Sequence, residues 1–289
     1  MSALTVRIDP HVHSEGSYDA HDPVELILEQ AAEIGLDAVV VTDHDVIDES
    51  VRAAQLAPMY GLVGIPGVEV STADGHLLAL GVEELPPRRR PLDETARWVR
   101  ERGGVAIVPH PFQRSRHGIG RRRLGRYHDA AGGDAFDAIE TYNSWLFTGY
   151  KNRRARRFAA NRQYPGVAGS DAHRVGYVGR AYTEIDIPDV SRASLTADDI
   201  LDAIRSGSTE VQGRRTPIPT STKHYAGAAG RKSAYYAKRG ALGSALLAKK
   251  GAFKSGYYAK LGALKSGSLA KTGVAQAARM LYRLSPLSR

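Results

Sequence analysis

From the start of the chain to about residue 210, short β-branched runs alternate with segments of helical length. Val6 to Val12, Ala38 to Thr42, Leu62 to Ile65, His76 to Val82, Val105 to Val108, Ala138 to Tyr142 and Val167 to Ala168 read as strands. Helices are expected at Pro23 to Ile34, Asp48 to Met59, Leu92 to Arg102, Tyr150 to Arg162 and Ala197 to Ser206. The first of these opens with Asp22 as N-cap and Pro23 at the first helical position, and closes at Gly35. Recurrent strand-helix units point to a parallel α/β architecture, open or closed, with its ligand site at the carboxyl ends of the strands.

The reactive residues fall where that rule puts them. His11 and His13 end the first run, Asp43-His44-Asp45 follows the second, and Glu69 follows the third. His110 follows Val105 to Val108, and Asp171 and His173 follow Val167-Ala168. Six of the ten histidines, at 11, 13, 44, 76, 110 and 173, lie at or beside expected strands with carboxylates near them in sequence. In a strand, residues i and i+2 share a face, so His11 and His13 can turn to one ion. A single histidine at a strand end is more often structural. Recurrence at one end of successive strands, with Asp19, Glu69 and Asp171, points instead to metal.

The chain has no cysteine, which excludes thiolate zinc, iron–sulfur clusters, disulfides and a cysteine nucleophile. Imidazole and carboxylate donors suit Zn, Mn or Fe better than Ca or Mg alone. Nine candidate ligands exceed one tetrahedral ion, so two to three clustered ions are expected, the usual arrangement for hydrolysing phosphate esters.

In order, His11-Val-His13-Ser14, Thr42-Asp43-His44-Asp45, Gly67-Val-Glu69-Val-Ser71, His110-Pro111 and Gly169-Ser-Asp171-Ala-His173 resemble the motifs of the PHP (polymerase and histidinol phosphatase) superfamily. The resemblance covers about residues 6–185. It implies an α/β fold, a distorted seven-stranded (β/α) TIM-like barrel of the PHP type, with a trinuclear centre at its C-terminal mouth. The chain is most similar to the small stand-alone members, whose activities include nucleotide phosphatase and 5′→3′ exonuclease. Carried over by position, the resemblance implies that His11, His13, Glu69 and Asp171 hold one metal. Glu69 bridges to a second that His76 and His110 complete, and Asp19, His44 and His173 hold a third. Asp19 stands where other members place His or Asp, and an oxygen donor there shifts preference toward Mn or Fe.

The implied reaction is hydrolysis by metal-activated water, with Glu69 as bridge and with Asp45 or a metal-held water protonating the leaving oxygen. Asp9 and Asp43 read as partners of the ligating histidines. Arg114, Arg116, Arg121, Arg122 and Arg123 follow His110-Pro111 in a stretch that reads as a loop, and Arg114 and Arg116 are candidates to grip substrate. A solvated basic loop accounts for them equally well. Glu140 and Asn143 match a recurrent Glu-x-x-Asn of these enzymes; Asn143 is a candidate substrate contact, although hydrogen bonding within the fold accounts for it at least as well. An amidohydrolase and a non-catalytic, metal-bound tether are the rival classes.

The net charge of +9 is unevenly distributed: residues 1–210 carry 24 basic and 31 acidic side chains, while 16 Lys and Arg and no acid follow Glu210. Residues 1–210 are therefore expected to form the phosphoesterase domain, 211–231 a linker and 232–289 a basic tail. From Lys232 the chain repeats every 11 residues, as in Ser233, Ser244, Ser255 and Ser266. Such a period places equivalent positions in stripes on a helix, here amphipathic and basic, while the repeated glycines favour disorder. The tail fits nucleic-acid binding, an anionic membrane surface, or packing on the body or a second subunit. The expected substrate is a phosphorylated small molecule, nucleotide or short nucleic acid. With no signal-like start and no apolar run of about 18 residues, a cytoplasmic location is expected.

Overall fold

The computed structural model describes residues 3–145, 149–217 and 219–220; the expected tail, and most of the expected linker, lie outside them. Nine strands and six α-helices form the described part. The strands are β1 (Ala3–Val12), β2 (Ala38–Val41), β3 (Gly67–Ser71), β4 (His76–Leu80), β5 (Val105–Val108), β6 (Ala138–Asn143), β7 (Gly166–Gly169), β8 (Ala181–Pro188) and β9 (Thr209–Gly213). The helices are α1 (Val24–Glu33), α2 (Asp48–Leu56), α3 (Leu92–Arg100), α4 (Arg121–Ala130), α5 (Gly149–Ala160) and α6 (Ala197–Ser206). Among the described residues no helix is long and apolar enough to cross a membrane.

The expected closed barrel is not formed. The strands make two open sheets, one of order β2-β1-β8-β9 and one of order β3-β4-β5-β6-β7. Isolated bridges join Ala38 to Val63, His44 to Glu69 and Val12 to Ala172; the last two link the ends of the two sheets and lie at the candidate ligands. Chain direction explains the opening. β3 returns into β4 through the short turn 72–75, so the two pair antiparallel, as do β4 with β5, β1 with β8 and β8 with β9. A turn that short cannot contain the crossover helix that a parallel neighbour requires. The pairs β1–β2, β5–β6 and β6–β7 are parallel.

Local chemistry accounts for other departures from expectation. Leu62 to Ile65 is not a strand: Val63 makes a single bridge, and the strand begins at Gly67. Pro23 occupies the N-cap of α1 with no side-chain cap, and Asp22 accepts the Val175 N–H instead (2.6 Å). α2 stops at Leu56, and Ala57–Tyr60 tightens into a 3-10 turn around Pro58, which has no N–H to continue the ladder. The Arg121-Arg122-Arg123 stretch, read as loop, opens α4. β9 carries its sheet past residue 210, and the Thr216 N–H reaches the Ser144 carbonyl (2.7 Å).

Apolar faces of the sheets are covered by the helices. Val68, Val70, Ile139, Leu124 and Phe158 share one core with α3, α4 and α5, whereas Ile8, Val40, Leu78, Ile107, Ile185 and Ile204 fill the space between the sheets and α6. α1 and α2 pack Ile27, Leu28 and Ala53 against Val39 and Val41. Burial of this kind supplies the main driving force for the fold. It leaves the carboxyl ends of β1, β2, β5 and β7, with β3 and β4 beside them, to converge on one polar cluster.

Candidate metal centre

The cluster starts from β1. Its pairing with β2 shifts register between Asp9 and Val12, a stretch that contains Pro10, which cannot donate to the ladder. Buried Asp9 holds the distorted strand by accepting the N–H groups of Ser170 (3.0 Å) and Gly179 (2.9 Å). Asp43 accepts the Ser14 N–H at 2.7 Å and fixes the segment after His13. Burial pushes both carboxyls up to about 6 against the opposing effect of these hydrogen bonds.

All nine residues expected as ligands come together, and all are buried. They form four overlapping groups: His13, Asp19, His44 and His173; His11, Glu69 and His110; His11, His13 and Asp171; and His44, Glu69 and His76. Within each group, one ligand atom per residue lies within 4.8 Å of the others. The sharing differs in detail from expectation: His13 joins the Asp19 group, and His76 groups with His44.

Glu69 sits at the crossing. Its Oε1 lies 2.7 Å from His76 Nδ1 and 2.9 Å from His110 Nε2, whereas its Oε2 lies 2.9 Å from His44 Nδ1 and 3.5 Å from His13 Nε2. Asp171 turns Oδ1 toward His13 Nε2 (3.3 Å) and His11 Nε2 (3.6 Å). Its Oδ2 accepts from Asn143 Nδ2 at 2.9 Å and from the Arg116 guanidinium. Asp19 Oδ2 is 3.3 Å from His173 Nε2 and 3.5 Å from His44 Nε2, while its Oδ1 accepts from the Ser17 hydroxyl.

Two ring nitrogens, His11 Nε2 and His13 Nε2, face each other at 3.3 Å beside two carboxylates. Such an arrangement is held together by a shared proton or by a cation, and the buried nitrogen and oxygen donors without thiolate fit a borderline divalent ion. In the absence of a cation the charges alternate. Burial opposes the charged form of His44, but Glu69 and Asp19 outweigh it and raise the imidazole to about 10; at His76 burial, joined by the neighbouring His44 and His110, outweighs Glu69 and lowers the imidazole to about 4. Burial likewise opposes the charge on Glu69, yet His76 and His44 hold it well below the usual carboxylate range.

The supporting shell is equally specific. Glu140 accepts from His11 Nδ1 (2.9 Å), the His110 N–H (2.6 Å) and Asn143 Nδ2 (2.9 Å). Asn143 therefore joins Glu140 to Asp171, which makes it a positioning residue. Arg116, a candidate substrate contact by sequence, is buried against Asp171, whereas Arg114 is exposed and lines a basic cavity. Asp45 donates its N–H to the Glu69 carbonyl (3.0 Å), and its carboxylate accepts the Ser71 N–H (2.8 Å) and lies 3.6 Å from Arg88. Asp45, His110 and Asp171 have φ of 55°, 28° and 53°. Left-handed backbone at three such residues is costly, and its concentration here marks a site whose geometry is imposed by its surroundings.

Sequence reasoning missed two neighbours. His117 stacks on His76 at 5.0 Å between ring centroids, and Tyr18 stacks on His44 at the same distance. Neither belongs to a motif, and only the backbone path brings them to the cluster.

Comparison with known proteins agrees with this geometry. A family model described as PHP-associated matches residues 149–209. The chain is 40% identical over 85 residues to the phosphoribosyl 1,2-cyclic phosphate 1,2-diphosphodiesterase of Eggerthella lenta, covering 27% of this chain and 32% of that protein. It is 31% identical over 108 residues to the 5′-3′ exoribonuclease of Haemophilus influenzae, covering 36% of this chain and 39% of that protein. The chain thus spans well under half the length of these two relatives. Among solved structures it resembles a two-domain protein from Bacteroides vulgatus containing a predicted PHP-like metal-dependent phosphoesterase, with a TM-score of 0.59 at 20% identity over 73% of this chain and 66% of that one. With its open sheets converging on buried histidine and carboxylate clusters, the chain carries the metal-dependent phosphoesterase fold of the PHP superfamily.

Proposed function

We propose that the protein hydrolyses phosphate esters, as a nucleotide phosphatase or a 5′→3′ exonuclease, at a centre of two or three Mn, Zn or Fe ions held by His11, His13, Asp19, His44, Glu69, His76, His110, Asp171 and His173. The observation that carries this reading is the position of Glu69, whose two oxygens face different histidine sets, as a bridging carboxylate must. Bound ions supply the Lewis acidity that activates water and neutralises charge on the phosphoryl oxygens. Glu140 and Asn143 orient His11 and Asp171, so the donor atoms need little rearrangement on loading. In this reading Asp45 or a metal-held water protonates the leaving oxygen, and Arg114 contacts phosphate. Two relatives that share part of the chain are named for cleaving phosphodiesters, which favours a phosphorylated substrate over an amide.

The test is a screen of the metal-loaded protein against p-nitrophenyl phosphate, nucleoside monophosphates and bisphosphates, and 5′-phosphorylated oligonucleotides. Turnover should disappear with chelator and return with one of the three metals. If no ester is hydrolysed with Mn, Zn or Fe, while elemental analysis shows the ions bound, the clusters are structural and the enzymatic reading fails.

A further inference from the structure

Beyond the metal cluster the described residues contain a cavity of about 880 Å³ with an unusual lining. Arg114, Arg121, Arg122 and Arg126 enter it from the segment after His110 and from α4, and Lys151 and Arg154 enter it from α5. Asp74 is the acidic member of the lining, and it is already paired with Arg123 at 2.7 Å. Arg114, Arg121, Arg122 and Arg126 are exposed and have no carboxylate partner among the described residues.

The helix termini make the same point independently. α1, α2, α3 and α6 each carry Asp or Glu in the first turn, where a negative charge is stabilised by the helix dipole. α4 and α5 carry none, and α4 begins with three arginines behind an N-cap glycine that has no side chain to satisfy the free amides. Cations at a helix N-terminus are unfavourable for stability. Around one cavity with the first-turn residues of α4 in its wall, these cations concentrate uncompensated positive charge of the kind that guanidinium groups offer to phosphate oxygens.

This cavity and the metal cluster share one loop. Phe112, Gln113 and Gly118 line the cavity, while in the same loop Arg116 binds Asp171 and the His117 carbonyl accepts the His76 N–H at 3.0 Å. Resting on the phosphoesterase reading, we infer that the cavity binds phosphate groups of the substrate other than the one being cleaved. A single orthophosphate would engage a small part of this lining; several phosphates, in a nucleoside bisphosphate or along a short strand, match it. Tyr150, half exposed and 5.5 Å from the Arg154 guanidinium at its ring centroid, adds a face on which a base can stack.

The experiment is equilibrium binding to the full chain in chelator, so that hydrolysis plays no part. A labelled 5′-phosphorylated trinucleotide and adenosine 3′,5′-bisphosphate are titrated at several salt concentrations. Arg121→Ala/Arg122→Ala/Lys151→Ala should weaken trinucleotide binding by at least about tenfold and flatten the slope of log K against log salt by about 2, since each lost single-strand phosphate contact removes about 0.7. Arg153→Ala/Arg156→Ala/Arg157→Ala removes the same charge from α5 outside the cavity lining and should bind within about twofold of wild type. Circular dichroism checks that both triple variants are folded. Loss with both ligands assigns the cavity to a second phosphate in general; loss with the trinucleotide alone assigns it to a strand backbone. Wild-type affinity in the cavity variant, or an equal loss in the matched control, overturns the inference. Hydrolysis of p-nitrophenyl phosphate by wild type reports separately on the metal centre, so either reading can fail without the other.

Discussion

Glu69 concentrates the chemistry of the site in one side chain. It is fully buried, and four imidazoles approach its two oxygens within 3.5 Å. Glu69→Gln keeps the volume but replaces one anionic oxygen by an amide that can donate and cannot bridge cations. The expected result is retention of less than one ion per chain by elemental analysis and a fall in phosphoesterase turnover of at least about 100-fold, with an unchanged far-ultraviolet dichroism spectrum. Full metal content in Glu69→Gln would remove it from the bridge. The gathering of such residues was legible in the sequence for His11, His13, His44, His110, Asp171 and His173, which follow or end β-branched runs that parallel pairing aligns; Glu69 and His76 join them instead through the tight antiparallel turn between β3 and β4. Arg116 was legible as a cation and not as a partner: its direction into Asp171 depends on the path of the loop 110–118, where His110, Phe112 and His117 all have positive φ. Nothing in their side chains announces that backbone.

β7 ends at a glycine for a reason that belongs to the packing of strands. A Cβ on Gly169 would stand 2.5 Å from Glu140 Oε1 and 2.7 Å from His11 Cβ, so β7 can lie against β1 and β6 only where this residue has no side chain. Gly169→Ala should therefore push the His11–Glu140 pair apart, lowering metal affinity at least about tenfold while costing about 1–3 kcal/mol of stability through overpacking. Competition with a calibrated chelator and urea unfolding of the metal-free protein measure the two effects; metal affinity equal to wild type would show that the contact relaxes elsewhere. Tyr164, after α5, gives a second test at this scale. Its ring stacks on Phe136 at 4.3 Å and its hydroxyl meets His128 Nδ1 at 3.1 Å, and burial pushes the phenol up to about 12. The folded state thus favours the neutral phenol, and the stability this confers is complete below pH 10 and is lost as pH rises from 10 toward 12. Tyr164→Phe should flatten the decline of urea-unfolding stability over that interval, by on the order of 1 kcal/mol at pH 11; an identical pH profile would contradict it. Elements whose apolar pattern is regular, such as α6 with its Thr196 capping box, were legible to the residue. α4 was not, because the arginines that open it suit the cavity and oppose the helix dipole; β8, an inner strand that alternates buried and more exposed residues, and β9, a half-exposed edge strand, were missed because neither has the continuous apolar run of β2 or β5.

Two open sheets in place of a closed ring change what the metal site does for the molecule as a whole. His11, His13, Asp19 and His44 stand on or just beyond β1 and β2, in the first sheet, whereas Glu69, His76, His110, Asp171 and His173 stand on or beyond β3, β4, β5 and β7, in the second. Every one of the four ligand groups draws from both sheets. Where a barrel would join its first and last strands by a continuous ladder, this fold has isolated bridges, two of them at the ligands themselves. Bound ions would therefore cross-link the sheets at the end where backbone pairing is sparse. Anything that binds the folded state alone stabilises it by mass action, by about 4 kcal/mol when free ligand stands at 1,000 times its dissociation constant. For a folded unit of this size each kcal/mol shifts the thermal midpoint by about 2–4 °C, so loading should raise Tm by roughly 8–16 °C over the chelated protein. Hydrogen exchange should localise the gain to the carboxyl ends of β1, β2 and β7 and leave the amides of β8 and β9, remote from the ligands, nearly unchanged in their local openings. Equal protection with and without metal at Val12, Thr42 and Ala172, whose amides lie beside the bridges, would mean that the sheets are held by their packed faces alone and that the ions serve chemistry without serving architecture.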